Sequence, residues 1–101
     1  MGLDVTLQDE RGEVSRTVSD PKNLLHRLLE PHQGGESVLA EIDWYGDTVF
    51  NHLQIQRFLS AWRTLAQNAQ TPEQKEMVNE IAAMAEQCER GVHLYLKFIG
   101  D

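Results

Sequence analysis

Basic residues are scarce in this chain: nine lysines and arginines stand against sixteen acids, a formal net charge of −7 with a pI near 5.0. A surface of that sign repels a phosphate backbone and lacks the basic stripe by which proteins hold nucleic acid, so no direct nucleic-acid binding is expected. A basic protein is the partner such a charge suits, although an excess of this size also serves simply to keep a small domain dissolved. Cysteine occurs once, at Cys88, which excludes an internal disulfide. No positively charged start followed by an apolar stretch precedes the first regular segment, and the expectation is a reducing, cytoplasmic setting. No apolar run approaches the roughly 20 residues that a bilayer-spanning helix needs, so no membrane role is expected.

The short patterns whose spacing carries a mechanism are missing too. There is no G-x-G-x-x-G, P-loop, H-E-x-x-H, paired C-x-x-C or G-x-S-x-G, which weighs against an enzyme and implies no cofactor. Neither an internal repeat nor a low-complexity stretch interrupts the 101 residues. That length supports one hydrophobic core, and residues 1–101 read as a single domain.

What is present is mostly periodicity. Leu3, Val5 and Leu7 alternate with polar residues, as do Val14, Arg16 and Val18, around the polar stretch Asp9-Glu10-Arg11-Gly12; the pattern predicts a β-hairpin. Arg16 is in phase with the valines, which suits a strand end or edge where a long stem reaches water. The start, Met1-Gly2-Leu3-Asp4-Val5-Thr6, also fits the loose acylation pattern M-G-x-x-x-[ST], although the same residues alternate as a strand does. Asp20-Pro21 then offers a cap followed by proline at the first helical position, and Leu24, Leu25, Leu28 and Leu29 share a face before Pro31; a short helix is predicted over 21–30.

Residues 38–50 are ambiguous. Val38, Ala40, Ile42 and Trp44 alternate, which favours a strand, while Val38, Leu39 and Ile42 also fit one helical turn. Gly46-Asp47 suits a tight turn into Thr48-Val49-Phe50. Asn51 and Gln54 have capping-box spacing, with Phe50 and Ile55 at the staple positions, and the apolar spacing from Ile55 to Ala69 predicts a helix over about 52–69. Thr71-Pro72-Glu73-Gln74 repeats that signature for a second long helix, whose stripe runs from Met77 to Cys88 and ends at Gly91. Val92, Leu94, Leu96 and Phe98 then alternate as a final strand. The expected fold is α+β, in the order β-β-α-(β)-α-α-β: an antiparallel sheet of three or four strands with three helices packed on one face.

Candidate functional groups are few. His26, His32, His52 and His93 form no dense pair at metal-ligand spacing, so no metal site is expected. Their predicted places are the polar flank of the first helix, a loop, a helical first turn, and a sheet face beside Tyr95 and Lys97 in the order of their numbers. Cys88 lies on an apolar stripe and reads as a buried, inert thiol rather than a nucleophile served by His93. Asp43-Trp44-Tyr45-Gly46-Asp47 places two carboxylates around two aromatics at a glycine turn. It reads first as structure, with Trp44 in the core and Asp47 on turn amides, and otherwise as a partner-binding surface. On the second long helix, Glu73 and Glu76 suit the helix dipole, whereas Glu80, Glu86 and Glu89 are either plain solvated surface or an acidic docking face.

The leading functional expectation is a small acidic cytoplasmic module that binds a basic protein, in the manner of an immunity protein, antitoxin or other inhibitor. Its candidate contacts are Asp43, Trp44, Tyr45, Asp47, Glu80, Glu86 and Glu89. Two alternatives stand beside it: a small enzyme or ligand-binding protein using Asp43, Asp47, Asn51 and His52, and a homodimer or other homo-oligomeric subunit paired through a sheet edge.

Overall fold

A computed structural model of the chain describes residues 3–20, 22–35 and 37–100. The first two residues of the acylation pattern, Met1 and Gly2, lie outside these, as does Pro21 of the predicted helix start. Strands β1 (Asp4–Asp9) and β2 (Val14–Ser19) form the predicted hairpin. Its turn is closed by the Asp9 carboxylate, which accepts hydrogen bonds from the amides of Arg11 and Glu13, both at 2.9 Å. Gly12 occupies the left-handed region at φ +82°, where a side chain would be strained.

Helix α1 (Leu24–Leu29) starts later than the sequence predicts, and its cap works from a distance. The residue before it, Asn23, is left-handed at φ 57° and its side chain accepts no cap hydrogen bond. Asp20 supplies one instead: its two carboxylate oxygens accept from the amides of Leu24 and Leu25 at 2.8 and 2.7 Å. With only 2% of its surface exposed, Asp20 holds two otherwise orphaned donors inside the protein. Asp20→Ala is therefore expected to lower stability by about 2 kcal/mol in urea unfolding; an unchanged midpoint would show that water replaces the carboxylate freely.

The strand predicted over 38–45 does not form. Val38–Glu41 is a 3₁₀ helix, opened by the Ser37 hydroxyl accepting from the Leu39 amide at 3.2 Å. In a three-residue turn, positions i and i+3 share a face, and it is Leu39 and Ile42 that are fully buried, whereas Val38, Ala40 and Trp44 of the alternating set are only half-buried. The third strand, β3 (Asp47–Phe50), comes after the glycine turn. Helix α2 (Ile55–Ala66) is preceded by the predicted capping box, in which Asn51 Oδ1 accepts from the amides of Leu53 and Gln54 while Gln54 Oε1 accepts from the Asn51 amide at 2.9 Å. Helix α3 (Pro72–Arg90) carries the second box between Thr71 and Gln74. Strand β4 (Leu94–Ile99) begins two residues later than the alternation predicts, leaving Val92 exposed.

The four strands form one antiparallel sheet in the order β2-β1-β4-β3. Its register places Val5 opposite both Val18 and Phe98, and Leu96 opposite both Leu7 and Phe50. Direct partners share a face, and these side chains are all buried on the side covered by the helices. There Phe50, Phe58, Trp62 and Phe98 form a linked aromatic cluster, with Phe58 stacked on Trp62 at 5.3 Å. The arrangement leaves two sheet edges, β2 and β3, and α3 runs over the β2 side as well as over β1 and β4.

Candidate functional site

The turn at 43–47 is built from inside the chain. Asp43 Oδ1 accepts from the Tyr45 amide at 2.9 Å, an Asx-type turn. The Asp43 amide donates to Thr48 Oγ1 at 2.9 Å, and the Gly100 amide donates to the Gly46 carbonyl at 2.7 Å. A Cβ at Gly100 would lie 2.5 Å from the backbone of Trp44, so only glycine lets the end of β4 press against this turn. Asp47 pairs with Lys97 at 3.4 Å, and Trp44 packs half-buried on the core with its ring 4.4 Å from that of His26. Both carboxylates of the predicted surface are thus engaged by the chain itself. Tyr45, 73% exposed, is the one large group the turn presents to solvent.

The glutamates of α3 divide by helical geometry. At roughly 100° per residue, Glu73, Glu76 and Glu80 fall in one stripe, while Glu86 is turned to the flank beside α2 and Glu89 to the far side of the helix. Glu86 reaches across to Arg63 of α2 at 3.8 Å, and Glu89 is half-buried. The structure therefore does not gather Glu80, Glu86 and Glu89 into one surface. It joins Glu80 to Glu73 and Glu76, a grouping that counting turns along the sequence does reveal.

That stripe forms one wall of an open groove of about 330 Å³, whose other wall is the end of β2, Thr17 to Ser19, with Asp20 just after it. Val18, Leu24 and Met77, all buried or half-buried, line it as well. Lys22 sits at the same groove and pairs with Glu73 at 3.1 Å, so Glu73, which the dipole alone was expected to satisfy, has a cation of its own. Glu76 and Glu80 have no ion-pair partner among the described residues. They lie one turn apart on the same helix face, an arrangement in which like charges repel.

The remaining candidates are dispersed. His26 lies 4.0 Å from Glu30, and His93, just before β4 rather than within it, lies 3.2 Å from Glu10. His32 Nε2 and His52 Nδ1 are buried without hydrogen-bond partners. No group of three potential metal ligands comes together among the described residues. Among the described residues two further grooves are seen, one between Pro31 and the α2–α3 junction and one between the 3₁₀ helix Val38–Glu41 and α2. Asp43, Asp47, Asn51 and His52 line none of the three grooves, and Asn51 is committed to its cap. No helix of the described residues is long and apolar enough to cross a membrane.

Cys88 is buried and donates its thiol hydrogen to the Leu94 carbonyl at 3.2 Å. Burial pushes its pKa above the ordinary value of 9.0, with a backbone hydrogen bond at Leu96 pulling weakly the other way. A thiol held protonated is a poor nucleophile. At pH near neutrality the folded protein is expected to react with a disulfide reagent at least ~100-fold more slowly than the denatured chain, because labelling then requires opening; rapid stoichiometric labelling would contradict this. Since the folded-state pKa is the raised one, the stability linked to Cys88 is intact below 9.0 and is lost as pH climbs from there through the folded value.

No protein-family model, curated protein or solved structure matches the chain.

Proposed function

We propose that the chain is a protein-interaction module that captures a basic partner protein and neutralises or regulates it, the role of an immunity protein, antitoxin or other inhibitor, in the cytoplasm. The observation that carries this reading is the groove between β2 and α3, where Lys22 is taken up by Glu73, and Glu76 and Glu80 stand exposed with no ion-pair partner among the described residues, beside an open strand edge. A carboxylate pair left unneutralised repels within the chain and is relieved by an arriving lysine or arginine. The overall charge of −7 adds long-range attraction for the same class of partner and would speed its capture. The single buried thiol suits a reducing compartment.

The test is affinity capture from native lysate with the immobilised wild-type protein and with a Glu76→Gln, Glu80→Gln double variant. A protein of high pI retained by the wild type at low salt, released by raised salt and lost with the double variant supports the reading. Recovery of no such protein at low salt overturns it.

A further inference from the structure

We infer that the groove takes an extended basic segment of the partner as an added strand on the β2 edge, with alternate lysine or arginine side chains reaching Glu76 and Glu80. This rests on the basic-partner reading and goes beyond it by naming the form the partner takes when bound.

Three features of the site converge. First, β2 pairs only with β1, so every second backbone amide and carbonyl along it points to an unpaired edge. The ladder is regular from Arg16 to Ser19 and irregular only nearer the hairpin turn, so the usable edge includes Thr17 to Ser19, the part of β2 that lines the groove. Second, α3 packs on the core side of the sheet. A strand added beside β2 therefore turns every second side chain toward α3 and the others toward solvent. Third, the spacing agrees. Side chains two apart on a strand are separated by roughly 7 Å, and Glu76 and Glu80 by about 6 Å along their helix. An extended segment with basic residues at alternate positions can meet both carboxylates while its backbone completes the edge, the arrangement known as strand addition.

A second copy of this chain is the obvious rival occupant, since exposed edges also pair with one another. Charge argues against it: two chains of −7 would bring their glutamate stripes together, whereas a basic segment cancels the same charges. The β2 strand itself, Val14–Ser19, carries one basic residue, Arg16, and no alternating pair.

The test uses a synthetic peptide of about ten residues alternating lysine and threonine, and two versions N-methylated either at every lysine or at every threonine amide. In an extended strand these two sets of amides face opposite edges. Strand addition is expected to make one methylated peptide bind at least about 10-fold more weakly than the parent by calorimetry at low ionic strength, while the other stays within about 3-fold. Equal responses of the two methylated peptides, whether binding is kept or lost, overturn strand pairing and leave the basic-partner reading to the lysate capture. Absence of any binding by the parent peptide overturns this inference alone. Light scattering across a dilution series completes it: a dimer that dissociates when β2 is blocked by Thr17→Pro, with the peptide failing to compete, would assign the edge to a second copy instead.

Discussion

Trp62→Ala is expected to lower the unfolding free energy by about 4 kcal/mol, against about 2 kcal/mol for Trp62→Phe. Trp62 is fully buried, stacks on Phe58 with an interplanar angle of 19°, and sits 6.2 Å from Phe98 of β4. Its indole Nε1 donates to the Val78 carbonyl at 3.0 Å, among the described residues the one buried side-chain hydrogen bond joining α2 to α3. Alanine removes the ring that locks both long helices onto the sheet and leaves a cavity in the aromatic cluster. Phenylalanine keeps most of the packing and forfeits the indole bond. Because a domain of this size has about 5–15 kcal/mol to lose, the alanine variant should approach the limit of folding, and chemical unfolding monitored by circular dichroism measures the difference. Equal costs for the two substitutions would show that the hydrogen bond, not the ring volume, governs this junction.

Reversing charge at the groove, Glu76→Lys with Glu80→Lys, is expected to weaken binding of a basic partner roughly 100-fold at low ionic strength, which corresponds to ~3 kcal/mol. The neutral pair Glu76→Gln with Glu80→Gln separates function from folding. It removes a repulsion between neighbouring turns of α3, so it should leave the protein as stable or more stable by about 0.3 kcal/mol while weakening the complex. A residue pair whose removal helps the fold and harms binding has its purpose outside the fold. Isothermal titration and thermal unfolding of the same variant measure the two sides. If the variant unfolds more easily and binds as before, the two glutamates belong to the structure and not to a site.

Most of the architecture was legible because its signals are local. Both long helices announce themselves through capping boxes, Asn51 with Gln54 and Thr71 with Gln74, and both boxes form. The hairpin and final strand follow from two-residue alternation, and Arg16 pointed correctly to an edge, since β2 ends the sheet. The 3₁₀ helix that stands in place of the expected strand at 38–45 has an equally local cause. An alternating set and an i, i+3 set overlapped there, and the Ser37 cap, which decides for the 3₁₀ helix, is a single hydroxyl. Strand order was out of reach, because register between distant segments is a property of the assembled core. The groove shared that fate. The stripe of Glu73, Glu76 and Glu80 can be counted along α3, but that it faces the β2 edge follows only once β1 and β4 are seen to be neighbours. The turn at 43–47 is unusual in composition, yet its acids are engaged by the Tyr45 amide and by Lys97.

The most direct measurement is an amide spectrum of isotopically labelled protein titrated with the lysine–threonine peptide at low salt. If the unneutralised glutamates beside an open edge are where this protein meets its partner, the perturbed amides will cluster at residues 16–20 and 73–80, with slowed hydrogen exchange along β2. Perturbations centred on 43–47, or scattered over the acidic surface with β2 exchanging as before, would contradict it.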